Sequence, residues 1–415
     1  MQCQSTQDSA NGFSRREDMR VASGIACALV LALMACQSSD SASPSESEEG
    51  PLSSVALYEG WIRADPRQQA LRVQGTGEMN AVIAAESGFV AVGEANGRGA
   101  AWTSVDGETW RQTPAGQAAF DSDAQRQVIR DVAAGGHGLV GVGFEQDLRG
   151  RSRAVAWTSS DGVRWRRVAD QGTFGGADFQ VMNAVTAGGP GFVAVGWSEY
   201  DPAADEANAA VWTSPDGRTW TRVPHDEDVF GVKGVEGMLD VVAGSRGLIA
   251  VGSDWANAVV WTSVDGTEWT RLPHDEAAFG GEQLIWALTV AQSGFVGVGY
   301  DNSSEEGEHA VIWRSRDGSR WSRTPFEEVS ALLRGVAATD RGLVAVGSQF
   351  VAGDTDAVVW TSSDGVRWTE VRRDDAVFGG EGNQLAYDVA AADGMVVVVG
   401  ADYGMPQPAV WTAAE

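Results

Sequence analysis

Cysteine disappears from the chain after Cys36, so everything that follows must fold without disulfides or thiolate metal sites. Positive charge is also scarce. Against 57 Asp and Glu there are 30 Lys and Arg, a net charge of −27, which excludes the basic footprint that nucleic-acid binding requires. What remains is a soluble acidic surface that repels anionic polymers, or one that attracts cations or basic proteins. Zinc-type histidine spacing, a Gly-x-Ser-x-Gly elbow and a phosphate loop are all missing. The four histidines, His137, His225, His274 and His309, fall in segments that read as loops or turns. No cofactor is expected.

The longest apolar run, Val21 to Ala35, is too short for a secure membrane span but suits the hydrophobic region of a secretory signal, with Arg15, Arg16 and Arg20 ahead of it. It ends Leu33-Met34-Ala35-Cys36, which resembles the lipobox of bacterial lipoproteins. That resemblance implies cleavage before Cys36, lipid on its thiol and a membrane partner through that lipid. Glu17 and Asp18 after Arg15-Arg16 argue against a twin-arginine signal, and Met19 is the better start. Residues 1–35 thus read as signal peptide and residues 36–52, rich in Ser and Glu, as a disordered tether. Residues 53–415 form the folded part, held outside the cytoplasm on the cell envelope.

That folded part is written in one repeat, Trp-Thr-Ser-x-Asp-Gly-x-x-Trp. Its aspartates, Asp106, Asp161, Asp216, Asp265, Asp317 and Asp364, lie 55, 55, 49, 52 and 47 residues apart, a period that signals a repeat architecture. Between Met182 and Pro224 one unit divides into four short apolar runs: 182–187, 192–196, 209–213 and 219–223. Gly-rich turns and an Asp-Gly pair separate them, and no helical periodicity appears, so the unit reads as a four-stranded antiparallel sheet. Asp-Gly is the pair favoured by two-residue hairpin turns. Such a turn puts the two flanking Trp residues on opposite faces, whereas a bulged three-residue loop puts them on one face.

Trp counts fix the number of sheets. Third-strand Trp residues are 102, 157, 212, 261, 313, 360 and 411; fourth-strand ones are 110, 165, 220, 269, 321 and 368. The last unit stops after three strands, and Glu59-Gly60-Trp61-Ile62-Arg63 matches Thr267-Glu268-Trp269-Thr270-Arg271 in register. We therefore expect an all-β, seven-bladed β-propeller whose last blade is completed by an N-terminal strand.

The Ser-x-Asp-Gly-x-x-Trp boxes resemble the bacterial neuraminidase repeat, or Asp-box, of sialidase-like propellers, though they lack the residue usually found between Asp and Gly. The resemblance implies that the boxes are structural turns, remote from any catalytic residue. It transfers no catalytic residue here, because the Arg-Ile-Pro that usually carries the first arginine of the sialidase triad is absent.

At one first-strand position the units supply Asn80, Arg130, Asn183, Leu239, Trp286, Arg334 and Tyr387. Except for Leu239, these form the candidate ligand cup, with two arginines for a carboxylate and aromatic faces for a sugar or peptide; ordinary plugging of the channel mouth is the simpler reading of the same residues. Variable polar loops at 198–207, 301–308 and 349–356 are expected on the same face. His225-Asp226-Glu227 and His274-Asp275-Glu276 carry metal-ligand chemistry, but copying of one template explains their matching places, and no metal is assigned. Phe174-Gly175-Gly176, Phe279-Gly280-Gly281 and Phe378-Gly379-Gly380 read as structural turns, with Phe230 a near match. The expected function is a monomeric, non-catalytic module binding a glycan, peptide or protein. A sialidase-like glycoside hydrolase around Arg130, Arg334 and Tyr387 and a structural envelope scaffold are the alternatives.

Overall fold

The computed structural model describes residues 57–414, apart from 115–116, 171, 176–178, 202–205, 232–236, 255, 305–306, 327–329 and 352. The signal peptide, Cys36 and the tether lie outside the described residues. The chain forms seven four-stranded antiparallel sheets. Six run in sequence order, from Gly77–Ala85, Gly88–Ala95, Arg98–Ser104 and Trp110–Gln112 in blade 1 to Ala331–Thr339, Gly342–Val351, Asp354–Ser362 and Thr369–Glu370 in blade 6. Blade 7 takes Gln384–Ala392, Met395–Asp402 and Gln407–Ala414 and adds Ile62–Arg63 as its fourth strand, with Ile62 opposite Thr412 and Arg63 opposite Trp411. First strands touch one another in succession, and that of blade 7 meets that of blade 1, so the ring is closed. The chain is a seven-bladed β-propeller.

Each blade buries both faces, which is why its strands are nearly continuous in Val, Ala and Ile. Third-strand Trp residues are almost wholly buried, and six of them donate the indole N–H across the blade interface. The acceptors are the carbonyls of Ala70, Ala119, Thr173, Val229, Ala278 and Val377. In each case the next residue is the apolar side chain of the connector: Leu71, Phe120, Phe174, Phe230, Phe279 or Phe378, all buried. These buried Leu and Phe side chains, Phe174, Phe279 and Phe378 of the Phe-Gly-Gly segments among them, thus pin the connectors on the following blade. Two connectors also carry one-turn helices, Glu227–Phe230 and Glu276–Phe279, too short to show a helical period in sequence. Asp226 and Asp275 cap them. His225 and His274 meet Glu227 and Glu276 at 3.0 and 2.9 Å. No group of three metal-ligating side chains occurs among the described residues.

The boxes are not two-residue hairpins. Ser104 pairs with Trp110 and Ser263 with Trp269, leaving five residues between the strands. Gly107 and Gly266 have positive φ, whereas the preceding Asp does not. The Asp carboxylate explains the wider loop: in Asp265 it accepts the N–H groups of Thr267 (2.8 Å) and Glu268 (3.0 Å), and Ser263 accepts that of Gly266 (2.8 Å). Two-residue turns with positive φ at both positions occur instead at Asn96-Gly97 and Asp393-Gly394. The five-residue loop puts both Trp residues of a box in one core cluster, for example Trp261 with Trp269. Each fourth-strand indole then donates to its own box Gly, as Trp269 does to Gly266 at 2.9 Å. Trp61 has no box before it, and its buried indole nitrogen lacks a hydrogen bond.

All seven first strands carry a bulge at one position, and the extra residues are Asn80, Arg130, Asn183, Leu239, Trp286, Arg334 and Tyr387. Directly across stands a glycine in every blade: Gly93, Gly143, Gly196, Gly252, Gly299, Gly347 and Gly400. A Cβ at any of them would run into a first-strand carbonyl oxygen, that of Leu284 for Gly299. Gly299→Ala should therefore cost about 1–3 kcal/mol in denaturant unfolding. An unchanged midpoint would show that the bulge does not depend on this glycine.

Candidate functional site

The boxes occupy one face of the ring; the starts of the first strands and the second-to-third connections occupy the other, the mouth. Those connections are projecting hairpins rather than loops in blades 3, 5 and 6. Pairing runs out to Asp201–Glu206, Ser304–Gly307 and Val351–Asp354. Their polar residues hid the strands because the pairing there carries no apolar alternation. His309 likewise sits in a strand, Gly307–Ser315, opposite Asp301.

Around the mouth, an arginine two places after the fourth-strand Trp reaches a group at the end of the second strand. Arg167 meets Glu145 (2.8 Å), Arg222 meets Ser198 (2.7 Å), Arg271 meets Asp254 (2.6 Å) and Arg323 meets Asp301 (3.2 Å). Arg63 pairs with Asp402 in the same way, so the N-terminal strand brings the ion pair as well as the Trp. Glu145 also holds Arg153 at 2.6 Å and the amide of Gln127 at 2.8 Å. Burial works to raise its pKa, but the hydrogen bonds from Arg153 and the charge of Arg167 carry it below the ordinary value. The Trp-x-Arg spacing was visible in the sequence and was the signal for these pairs.

Of the six cup residues, the structure brings three together. The Arg334 guanidinium lies over Trp286, 4.7 Å from the ring centroid, and over Tyr387 at 5.5 Å, joining blades 5, 6 and 7. Tyr387 reaches the Tyr403 hydroxyl at 3.0 Å, and Tyr403 donates to Glu78 at 3.3 Å. Arg126 continues the chain, 3.5 Å from Glu78 and 2.6 Å from Glu94. Burial pushes Tyr387 well above the usual phenol range and raises Tyr403, Glu94 and Glu308 above their ordinary values. Arg130 lies elsewhere, over Phe144 of its own blade at 5.4 Å. Asn80 and Asn183 donate to Ile129 (2.9 Å) and Met238 (2.8 Å) of the next blade and so act as fasteners. The box aspartates sit at the opposite face, with pKa values lowered chiefly by backbone N–H groups; Asp265 falls to about 2, with the Glu268 N–H the leading cause.

No family model matches the chain, and neither does any curated protein. Solved propellers do. The β-propeller domain of Cps50 (Swd1) from Myceliophteria thermophila is 11% identical, with 85% of this chain and 99% of that chain covered and a TM-score of 0.48. The WD40 β-propeller domain of Doa1 is 12% identical over 85% and 96%, with a TM-score of 0.46. A thermostable family-43 glycoside hydrolase is 11% identical over 61% and 94%, with a TM-score of 0.40. At such identities these likenesses concern the fold alone.

Removing the Arg63 side chain strips Asp402 of its cation while leaving Gln384 and two backbone N–H groups on it. Arg63→Ala should lower stability by about 1–3 kcal/mol. If unfolding is unaltered, the ion pair contributes nothing to ring closure.

Proposed function

We propose that this chain is a membrane-tethered, extracytoplasmic binding module that holds a glycan, peptide or protein ligand at the mouth opposite its boxes and does no chemistry on it. The observation that carries the reading is the Trp286–Arg334–Tyr387 stack. At the other blade junctions the bulge layer contributes an Asn or Asp hydrogen bond in place of stacked rings, so closing the ring there does not use large side chains at the axis. Aromatic faces with a few placed polar groups suit recognition. A glycosidase-type phenol nucleophile would need a phenol that ionises readily, and both Tyr387 and Tyr403 are shifted the other way. The tether and lipid rest on the Leu33-Met34-Ala35-Cys36 motif.

The full chain, screened against a glycan array and by pull-down, should retain a ligand whose affinity falls at least tenfold, about 1.4 kcal/mol, in Arg334→Ala. A fluorogenic sialoside panel should show no turnover. Turnover that vanishes in Arg334→Ala would make the chain a hydrolase and overturn the reading. In cells, Cys36→Ser should move the protein out of the membrane fraction; if it stays, the anchor is not at Cys36.

A further inference from the structure

Among the described residues, the chain enters the propeller on the box face. The Leu57 N–H donates to Thr361 at 3.2 Å, and the Leu57 carbonyl accepts from the Arg341 guanidinium at 3.1 Å. Tyr58, almost wholly buried, donates its hydroxyl to Thr339 at 2.6 Å. Thr339 and Arg341 flank the turn between the first two strands of blade 6, and Thr361 ends the strand that leads into its box. From there Ile62–Arg63 runs toward the mouth, where Arg63 meets Asp402. A tether ahead of Leu57 therefore joins the fold on the side opposite the mouth.

The point of attachment does not by itself hold that side against a membrane. Residues 37–56 can span at most roughly 75 Å, against a radius of gyration of about 21 Å for a domain of this length. The chemistry of the face has to decide. A groove of 560 Å³ opens on it between blades 3 and 4, lined by glycines, Pro190, Ala243, Leu248 and Val264 as well as Asp265 and Thr267. Val264 is 84% exposed, and Val366 of the blade 6 box is 46% exposed. The blade 4 box is acidic, with Asp265 and Glu268, and adds only its apolar wall. Blades 5 and 6 add charge of the other sign: exposed Arg316, Arg320 and Arg367 in the boxes and Arg341 at the chain entry, against Asp317, Asp340 and Asp364. Asp317 and Asp364 are in turn occupied by the backbone N–H groups of Ser319, Val366 and Arg367. The turns of blades 7 and 1 on the same face are the reverse, with Glu86, Asp106, Glu108 and Asp393 exposed and no basic residue among them.

We propose that the box face over blades 3 to 6 docks on an anionic phospholipid bilayer. Arg316, Arg320, Arg341 and Arg367 meet the lipid phosphates, while Val264, Val366 and the apolar groove face the boundary between headgroups and acyl chains. In a chain of net charge −27, the arginines are gathered where the chain enters the fold, and the unrelieved carboxylates lie on the far side of that face. Resting on the anchor at Cys36 proposed above, this docking holds the mouth away from the membrane and open to its ligand.

Hydrogen exchange of the full chain with lipid vesicles tests this at amides held by box aspartates. Thr267 on Asp265, with Val366 and Arg367 on Asp364, report on the docking sector; Glu108 and Thr109 on Asp106 are the equivalent amides of the acidic one. Exchange at Thr267, Val366 and Arg367 should slow at least threefold on phosphatidylglycerol vesicles and not on phosphatidylcholine vesicles. Glu108 and Thr109 should be unchanged on both. In Arg320→Glu/Arg367→Glu, which alters two exposed side chains, the slowing should disappear. Equal exchange behaviour in the boxes of blades 1, 4 and 6 overturns the docking face whether or not Cys36 anchors the chain, so the two readings fail separately. Slowing that survives the double variant, or that is as large on phosphatidylcholine, overturns it as well.

Discussion

A glycine facing a bulge is the constraint on which this ring depends. In each blade the second strand gives up its side chain at one place so that a first-strand carbonyl can press against its backbone. The gain is one residue released from the pairing ladder on the innermost strand. Because this happens seven times at one level, it creates a layer of free positions around the axis, followed by a second layer one residue on. The first layer supplies Asn80, Asn183 and the Trp286–Arg334–Tyr387 stack; the second supplies Asp131, Asp240 and Asp388, which accept backbone N–H groups of the next blade. Without the bulge these side chains would lie in the blade interfaces, where Val and Ala belong.

The two faces of the ring are stabilised on different principles. On the box face each hairpin satisfies itself: Ser and Asp cap backbone N–H groups, and the fourth-strand indole bonds to a carbonyl three residues back. Such local hydrogen bonding repeats from box to box, while each box glycine packs on the preceding blade, as Gly266 does on Val193. On the mouth face the partners are distant in sequence, as with Arg63 and Asp402 or Tyr403 and Glu78. Substitution there must be matched by the partner, which is why the mouth differs from blade to blade while the boxes do not.

That difference decided what the sequence disclosed. Seven blades and the closing strand could be counted from Trp residues because a buried indole at a fixed place in each unit leaves a regular trace. The turn at each box was misjudged because Asp-Gly was weighed by backbone preference, whereas the Asp carboxylate replaces backbone pairing and widens the loop. The bulge positions stood out through their unusual side chains, but their grouping did not. Nothing along the chain tells that Arg334 lies between Trp286 and Tyr387 while Arg130 turns to Phe144. The three axial aspartates were hidden among 57 acidic residues, since their environment comes from seven strands together.

Energetics separate fastening from recognition at the axis. A junction hydrogen bond contributes about 0.5–1.5 kcal/mol net, and a cation stacked on a ring contributes a similar amount, about 0.5–2 kcal/mol. Stability therefore gives no reason to replace Asn at two junctions by Trp, Arg and Tyr. What the larger side chains add is surface: aromatic faces, a fixed guanidinium and a phenol leading to Tyr403 and Glu78, all on the side from which the hairpins of blades 3, 5 and 6 project. A ring that only had to close would have repeated its cheapest fastener seven times. Blades 5, 6 and 7 carry Trp286, Arg334 and Tyr387 instead, and the proposed ligand at the mouth would give them a reason that closure does not.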